Sequence, residues 1–125
     1  MYQVEAKPSA KLLKIRFTGH VDSDQAKECL EKVRSLLTEM KPGFRLLTDL
    51  TGLESMGVAC AAYLKQTMDL CNDKGIEKVI RVIPDPRKDI GLQIMSLFHY
   101  GRGVRITRCE GLAEAEKVLS VLSPP

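Results

Sequence analysis

Phe44-Arg45-Leu46-Leu47-Thr48-Asp49-Leu50-Thr51-Gly52-Leu53-Glu54-Ser55-Met56-Gly57 is the stretch on which the architecture of this 125-residue chain turns. Its first half, Phe44 to Leu50, is bulky and apolar in the way of a strand. Thr51-Gly52 breaks the run, and a polar loop carries the chain to Gly57. Cys60, Ala61, Leu64, Met68 and Cys71 then recur at helical spacing, which predicts a helix over 58–74 that Gly75 ends. The unit is strand, loop, helix.

The same alternation extends in both directions. Tyr2, Val4 and Ala6 alternate with Gln3, Glu5 and Lys7, and past the turn at Pro8-Ser9-Ala10, Leu13, Ile15 and Phe17 alternate with Lys14, Arg16 and Thr18. These two runs predict a hairpin. Asp22-Ser23-Asp24-Gln25 has the form of a capping box, with Asp22 at the cap and Gln25 reaching back. Behind it, Ala26, Cys29, Leu30, Val33, Leu36, Leu37 and Met40 mark a helix over 23–40, stopped by Lys41-Pro42-Gly43. Beyond the central unit come a strand from Val79 to Ile83, a helix over 87–100 capped by Asp85 with Pro86 in its first turn, a strand from Val104 to Cys109, and a helix over 111–122.

The order ββαβαβαβα implies βαβ crossovers and a mostly parallel five-stranded sheet with one antiparallel strand from the hairpin. Strands buried on both faces are apolar throughout. Here the second strand alternates fully, Arg45 and Asp49 interrupt the third, and Arg105 and Thr107 interrupt the last, which predicts a partly wet sheet face with four helices mainly on the other. Length and composition fit one domain over 1–122 with a loose tail at 123–125: hydrophobic residues are 44%, charged residues 28% and the net charge is +3. That charge is too mild for a dedicated nucleic-acid binder. No apolar run reaches the roughly 20 residues that cross a bilayer, and the start is no secretory leader, so a cytoplasmic protein is expected.

The run Leu46-Leu47-Thr48-Asp49-Leu50-Thr51-Gly52-Leu53-Glu54-Ser55-Met56-Gly57, with Gly19-His20-Val21-Asp22 and the order of the flanking elements, resembles the STAS family of anti-sigma-factor antagonist (SpoIIAA-like) domains. The resemblance implies a SpoIIAA-like β-α superhelical fold and a bacterial regulatory module that binds a protein partner, an anti-sigma factor or kinase-like signalling protein. It places the family's phosphorylated serine on Ser55 and its motif glycine on Gly57. Glu54 stands where the family has Asp, and Met56 where it has Ser or another small residue. Asp49, Thr51, Gly52, Glu54, Ser55, Met56 and Gly57 together form the expected partner-binding loop. From the residues themselves Ser55 has two readings, a phosphate acceptor at a helix start or the N-cap of that helix.

Few residues offer a rival chemistry. The serines lack a nucleophile elbow, Gly101-Arg102-Gly103 leads into a strand where a dinucleotide loop leads out of one, and Cys29, Cys60, Cys71 and Cys109 are too scattered to hold zinc with His20 or His99. The cysteines read as buried free thiols, and neither a metal nor an organic cofactor is expected. Residues 76–109 carry seven Lys or Arg against three acids, a surface suited to an acidic partner. On the helix over 87–100, Leu92 and Met95 exceed one core stripe and mark a partner or homodimer surface. The alternative function is a small-ligand domain, for a lipid or nucleotide, on the related SEC14-like core.

Overall fold

A computed structural model describes residues 1–82 and 105–122. Seven strands are described: β1 (Tyr2–Lys7), β2 (Leu12–Phe17), β3 (Gly19–Val21), β4 (Arg45–Asp49), β5 (Leu53–Met56), β6 (Lys78–Val82) and β7 (Arg105–Cys109). Three α-helices accompany them: α1 (Ser23–Leu37), α2 (Cys60–Lys74) and α3 (Leu112–Leu122). The expected helix over 87–100, and with it Leu92 and Met95, lies outside the described residues. The main sheet has the order β1-β2-β4-β6-β7, with β1 antiparallel to β2 and every other pair parallel. This is the mixed five-stranded sheet that the alternating strand and helix patterns imply.

Side chains two apart on a strand share a face, and the core divides accordingly. Leu13, Ile15, Phe17, Leu46 and Val79 face α1 and α2, where they meet Ala26, Cys29, Val33, Met68 and Cys71. Leu12, Leu47, Ile80, Val82 and Cys109 point the other way and meet Ala115, Val118 and Leu119 of α3. Two of the three described helices therefore share a face, and the last, expected beside them, crosses to the opposite one. The reason is that β4 and β6 are buried along their whole length. Arg45, which reads as a solvent-facing interruption, is buried because its guanidinium donates to Leu119 O at 3.0 Å and Ala10 O at 2.8 Å. At the β1–β2 end that face is polar, with Gln3, Glu5, Lys14 and Arg16.

Local signals account for most element ends. Asp22 caps α1, its Oδ1 accepting from Gln25 N at 2.9 Å. The other half of the expected capping box is absent, since Gln25 Oε1 instead accepts from the Met1 ammonium at 3.1 Å. α1 ends at Leu37, and a tighter turn with Met40 N donating to Leu37 O carries the buried Met40 into the core. Gly75 ends α2 in the left-handed region at φ 95°, its N–H bonded to Asn72 O and Cys71 O. A Cβ there would also sit 2.9 Å from Pro42 Cβ, so the position requires glycine twice over.

Candidate functional site

Sequence reading treats 51–57 as loop. In the structure four of those residues, with Leu53 first, form β5, which pairs with β3 in a separate parallel ribbon. β3 is itself too short to show a pattern. The ribbon rises from the C-terminal end of β4, where Leu53 N donates to Leu50 O at 3.2 Å and Gly19 N to Gly52 O at 2.8 Å. Gly52 lies so close to Thr18 that a Cβ would meet Thr18 Cγ2 at 2.9 Å. Val21, Leu50, Leu53 and Cys60 are buried beneath and fix the ribbon to the core.

Asp49 anchors the loop from below. Its carboxylate is almost wholly buried; Oδ1 accepts from Thr51 N at 3.0 Å and Thr51 Oγ1 at 2.7 Å, while Oδ2 accepts from Arg16 Nε at 2.9 Å. Three donors hold one carboxylate, which ends the strand and orients Thr51. Thr51, Gly52, Glu54 and Ser55 are exposed above it, and Met56 and Gly57 are half-buried.

Ser55 does not cap α2, contrary to the cap reading. It is exposed on β5, directly across from His20 in the register, and its Oγ lies 2.7 Å from His20 Nδ1. The cap position of α2 is Ala59, with no side-chain hydrogen bond, and the helix is entered by a turn in which Cys60 N donates to Gly57 O and Ala61 N to Val58 O. Gly57 N reaches back to Val21 O at 3.0 Å, so the backbone itself satisfies this entry. Among the described residues, nothing bonds the remaining nitrogen of His20.

Two residues at this site escape sequence reading. His20 lies 35 positions from Ser55 and looks like a lone surface histidine. Val58 reads as the first helical residue, yet it lies outside the helix and is 92% exposed, the largest such value among the described large apolar residues. A β-branched apolar residue just outside a helix start, followed by Ala59, Ala61 and Ala62, is the signal that would have found it.

The four cysteines are free and buried. Burial pushes the Cys29 and Cys71 thiols up to about 12, and it raises Cys60 and Cys109 as well. Such thiols stay protonated and unreactive. Among the described residues, no group of three or more His, Cys, Asp or Glu is placed to hold a metal, and no helix is long and apolar enough to cross a membrane. A cavity of about 260 Å³ lies on the polar end of the sheet, between Glu5, Lys14, Arg16 and Asp49 and the α3 residues Leu112, Glu116 and Leu119. The apolar cavity under α1 and α2 is about 40 Å³, far below the roughly 300–1,000 Å³ of ligand pockets.

Comparison with known proteins agrees with this architecture. The STAS domain family model matches residues 2–107, and the chain belongs to that family. No curated protein matches it in sequence. Among solved structures, an uncharacterized protein of the DUF3478 family with a SpoIIAA-like fold, from Shewanella loihica, is similar at 16% identity and TM-score 0.69, over 95% of this chain and 92% of that one. The anti-sigma factor antagonist SpoIIAA in its unphosphorylated form is similar at 15% identity and TM-score 0.63, over 97% of each chain. The Bacillus cell fate determinant SpoIIAA in its phosphorylated form is similar at 14% identity and TM-score 0.65, over 94% of this chain and 99% of that one. At such identities the likeness is one of fold.

Proposed function

We propose that this STAS domain is a cytoplasmic regulatory module that acts by binding a signalling protein, and that phosphorylation of Ser55 controls the binding. The observation that carries this reading is the presentation of Ser55: it stands exposed on a ribbon pinned to the core, three residues from an apolar side chain that the fold leaves in solvent. A ribbon pinned to the core, with a modifiable hydroxyl beside an apolar contact, suits a surface on which an added phosphate changes affinity. The phosphorylated and unphosphorylated forms of SpoIIAA, similar in fold, lend the modification a precedent. Thr51, Gly52, Glu54, Met56 and Gly57 surround Ser55 and complete the contact surface, and Asp49 holds it in shape.

The test combines modification and capture. Protein purified from its own cells should carry phosphate on Ser55 in a fraction of molecules by mass spectrometry. Ser55→Asp and Val58→Glu should each lose the same co-purifying protein at unchanged melting temperature. A native protein free of phosphate at Ser55, with both variants retaining every wild-type partner, overturns the reading.

A further inference from the structure

We propose that His20 is the residue through which the fold registers phosphorylation of Ser55, by clamping the phosphate that replaces the hydroxyl; this rests on the reading of Ser55 as acceptor. The ring nitrogen and the hydroxyl oxygen are already 2.7 Å apart, on strands whose register sets the two residues opposite each other. A hydroxyl can donate or accept, so the unmodified pair has two hydrogen-bond arrangements. In one the serine donates to Nδ1, and in the other Nδ1–H donates to Oγ.

Phosphorylation removes that choice. The terminal phosphoryl group of a nucleoside triphosphate, delivered by a protein kinase, leaves the nucleoside diphosphate and bonds to Oγ, and the hydroxyl proton passes to solvent. Once fully ionised, a phosphate ester presents acceptors only, so the bond to the dianion survives only if Nδ1 carries a proton. A phosphate dianion beside the ring also favours the doubly protonated imidazolium. The modified pair is therefore an ion pair across β3 and β5. It tightens the ribbon and offsets part of the new charge.

Among the described residues, the other titratable groups around the ribbon are Glu54 next to Ser55, Asp22 and Asp24 at the head of α1, Cys60 beneath β3, the Met1 ammonium, and the paired Asp49 and Arg16 at its base. The Met1 ammonium is engaged by Thr18 O at 2.7 Å and by Gln25 Oε1. Cys60 Sγ donates to Val21 O at 3.4 Å. The carboxylates repel a phosphate, which among the described residues leaves the imidazole, already within hydrogen-bond distance of Ser55 Oγ, as its partner.

The experiment places phosphoserine at position 55 during translation, so no kinase is required, and follows the phosphate by 31P NMR titration in full-length protein. With His20 present, the phosphate should lose its second proton at a pH lower by about 0.5 unit or more than in His20→Gln, and the imidazole 15N resonances should report a protonated Nδ1. His20→Lys, which restores a cation, should recover most of the shift. Equal midpoints for wild type and His20→Gln overturn the proposal, as does a phosphoserine protein that fails to fold, since a clamp must accommodate its phosphate. The two readings fail separately. A native protein without phosphate removes the switch and leaves the titration result standing, whereas equal midpoints remove the clamp and leave the switch.

Discussion

At Asp49 one buried carboxylate serves a backbone N–H, a hydroxyl and a guanidinium at once. Arg16 is about half exposed, so the ion pair contributes little by itself, and the two bonds from Thr51 carry more of the effect. Asp49→Ala leaves Thr51 N without its cap and should cost about 1–3 kcal/mol in urea unfolding. Asp49→Asn, which keeps an acceptor, should cost less; equal losses for the two would show that the hydrogen bonds do not matter. That the strand closes near Asp49 is legible in sequence, because Thr51-Gly52 breaks the apolar run just beyond it. The partnership of Ser55 with His20 is not, since a contact between two short strands far apart in sequence leaves no local pattern.

Among the elements, the long ones are readable and the short ones are not. α1 follows from its Asp22 cap and from Ala26, Cys29, Leu30 and Val33 on one stripe, all buried. β3 and β5 hold three and four residues, too few for periodicity, and each exists because the other does. Without them both readings of Ser55 place it at the start of a helix, whereas it stands on β5. Where α2 ends, Gly75→Ala should cost about 1–2 kcal/mol or more, because the left-handed backbone and the nearby Pro42 both oppose a Cβ. A change below about 0.3 kcal/mol in the same unfolding assay would mean that the turn relaxes freely. Between α1 and α2, Cys29 and Cys71 hold their protons up to about 12 in the folded state, chiefly through burial, whereas an unfolded thiol ionises near 9.0. The folded state then binds more protons than the unfolded state within that window, so stability should fall as pH rises from about 9 towards 12. Melting temperatures between pH 8 and pH 10.5 should decline less steeply in the double variant Cys29→Ala/Cys71→Ala than in wild type. Parallel curves would place the alkaline loss elsewhere.

For the whole molecule, the placement of the last helix is the feature that sequence reading misplaces. By its polarity Arg45 reads as a wet position on a one-sided sheet, and polarity alone cannot reveal a guanidinium whose donors are taken up by carbonyls. That arginine ties β4 to the last turns of α3 and to Ala10. Arg45→Met keeps the stem and removes those donors, so hydrogen exchange across Leu112–Leu122 should accelerate by about tenfold while β4 and β6 stay protected. Unchanged exchange in α3 would show that Leu47, Ile80 and Val82 hold it without help. The sheet itself was legible as mixed and mostly parallel, because strands alternating with helices leave few other solutions.

The main sheet runs β1-β2-β4-β6-β7, so its spatial order is also its order along the chain. Each strand joins at the edge left by its predecessor, and no later strand has to be inserted between two that are already paired. A chain emerging from the ribosome can therefore begin with the β1–β2 hairpin, whose closure is local and fast, and extend the sheet outward as synthesis proceeds. The exposed growing edge is always the most recently made strand. The interval in which it stands uncovered, and in which another chain can pair with it, is set by the time needed to translate the next crossover.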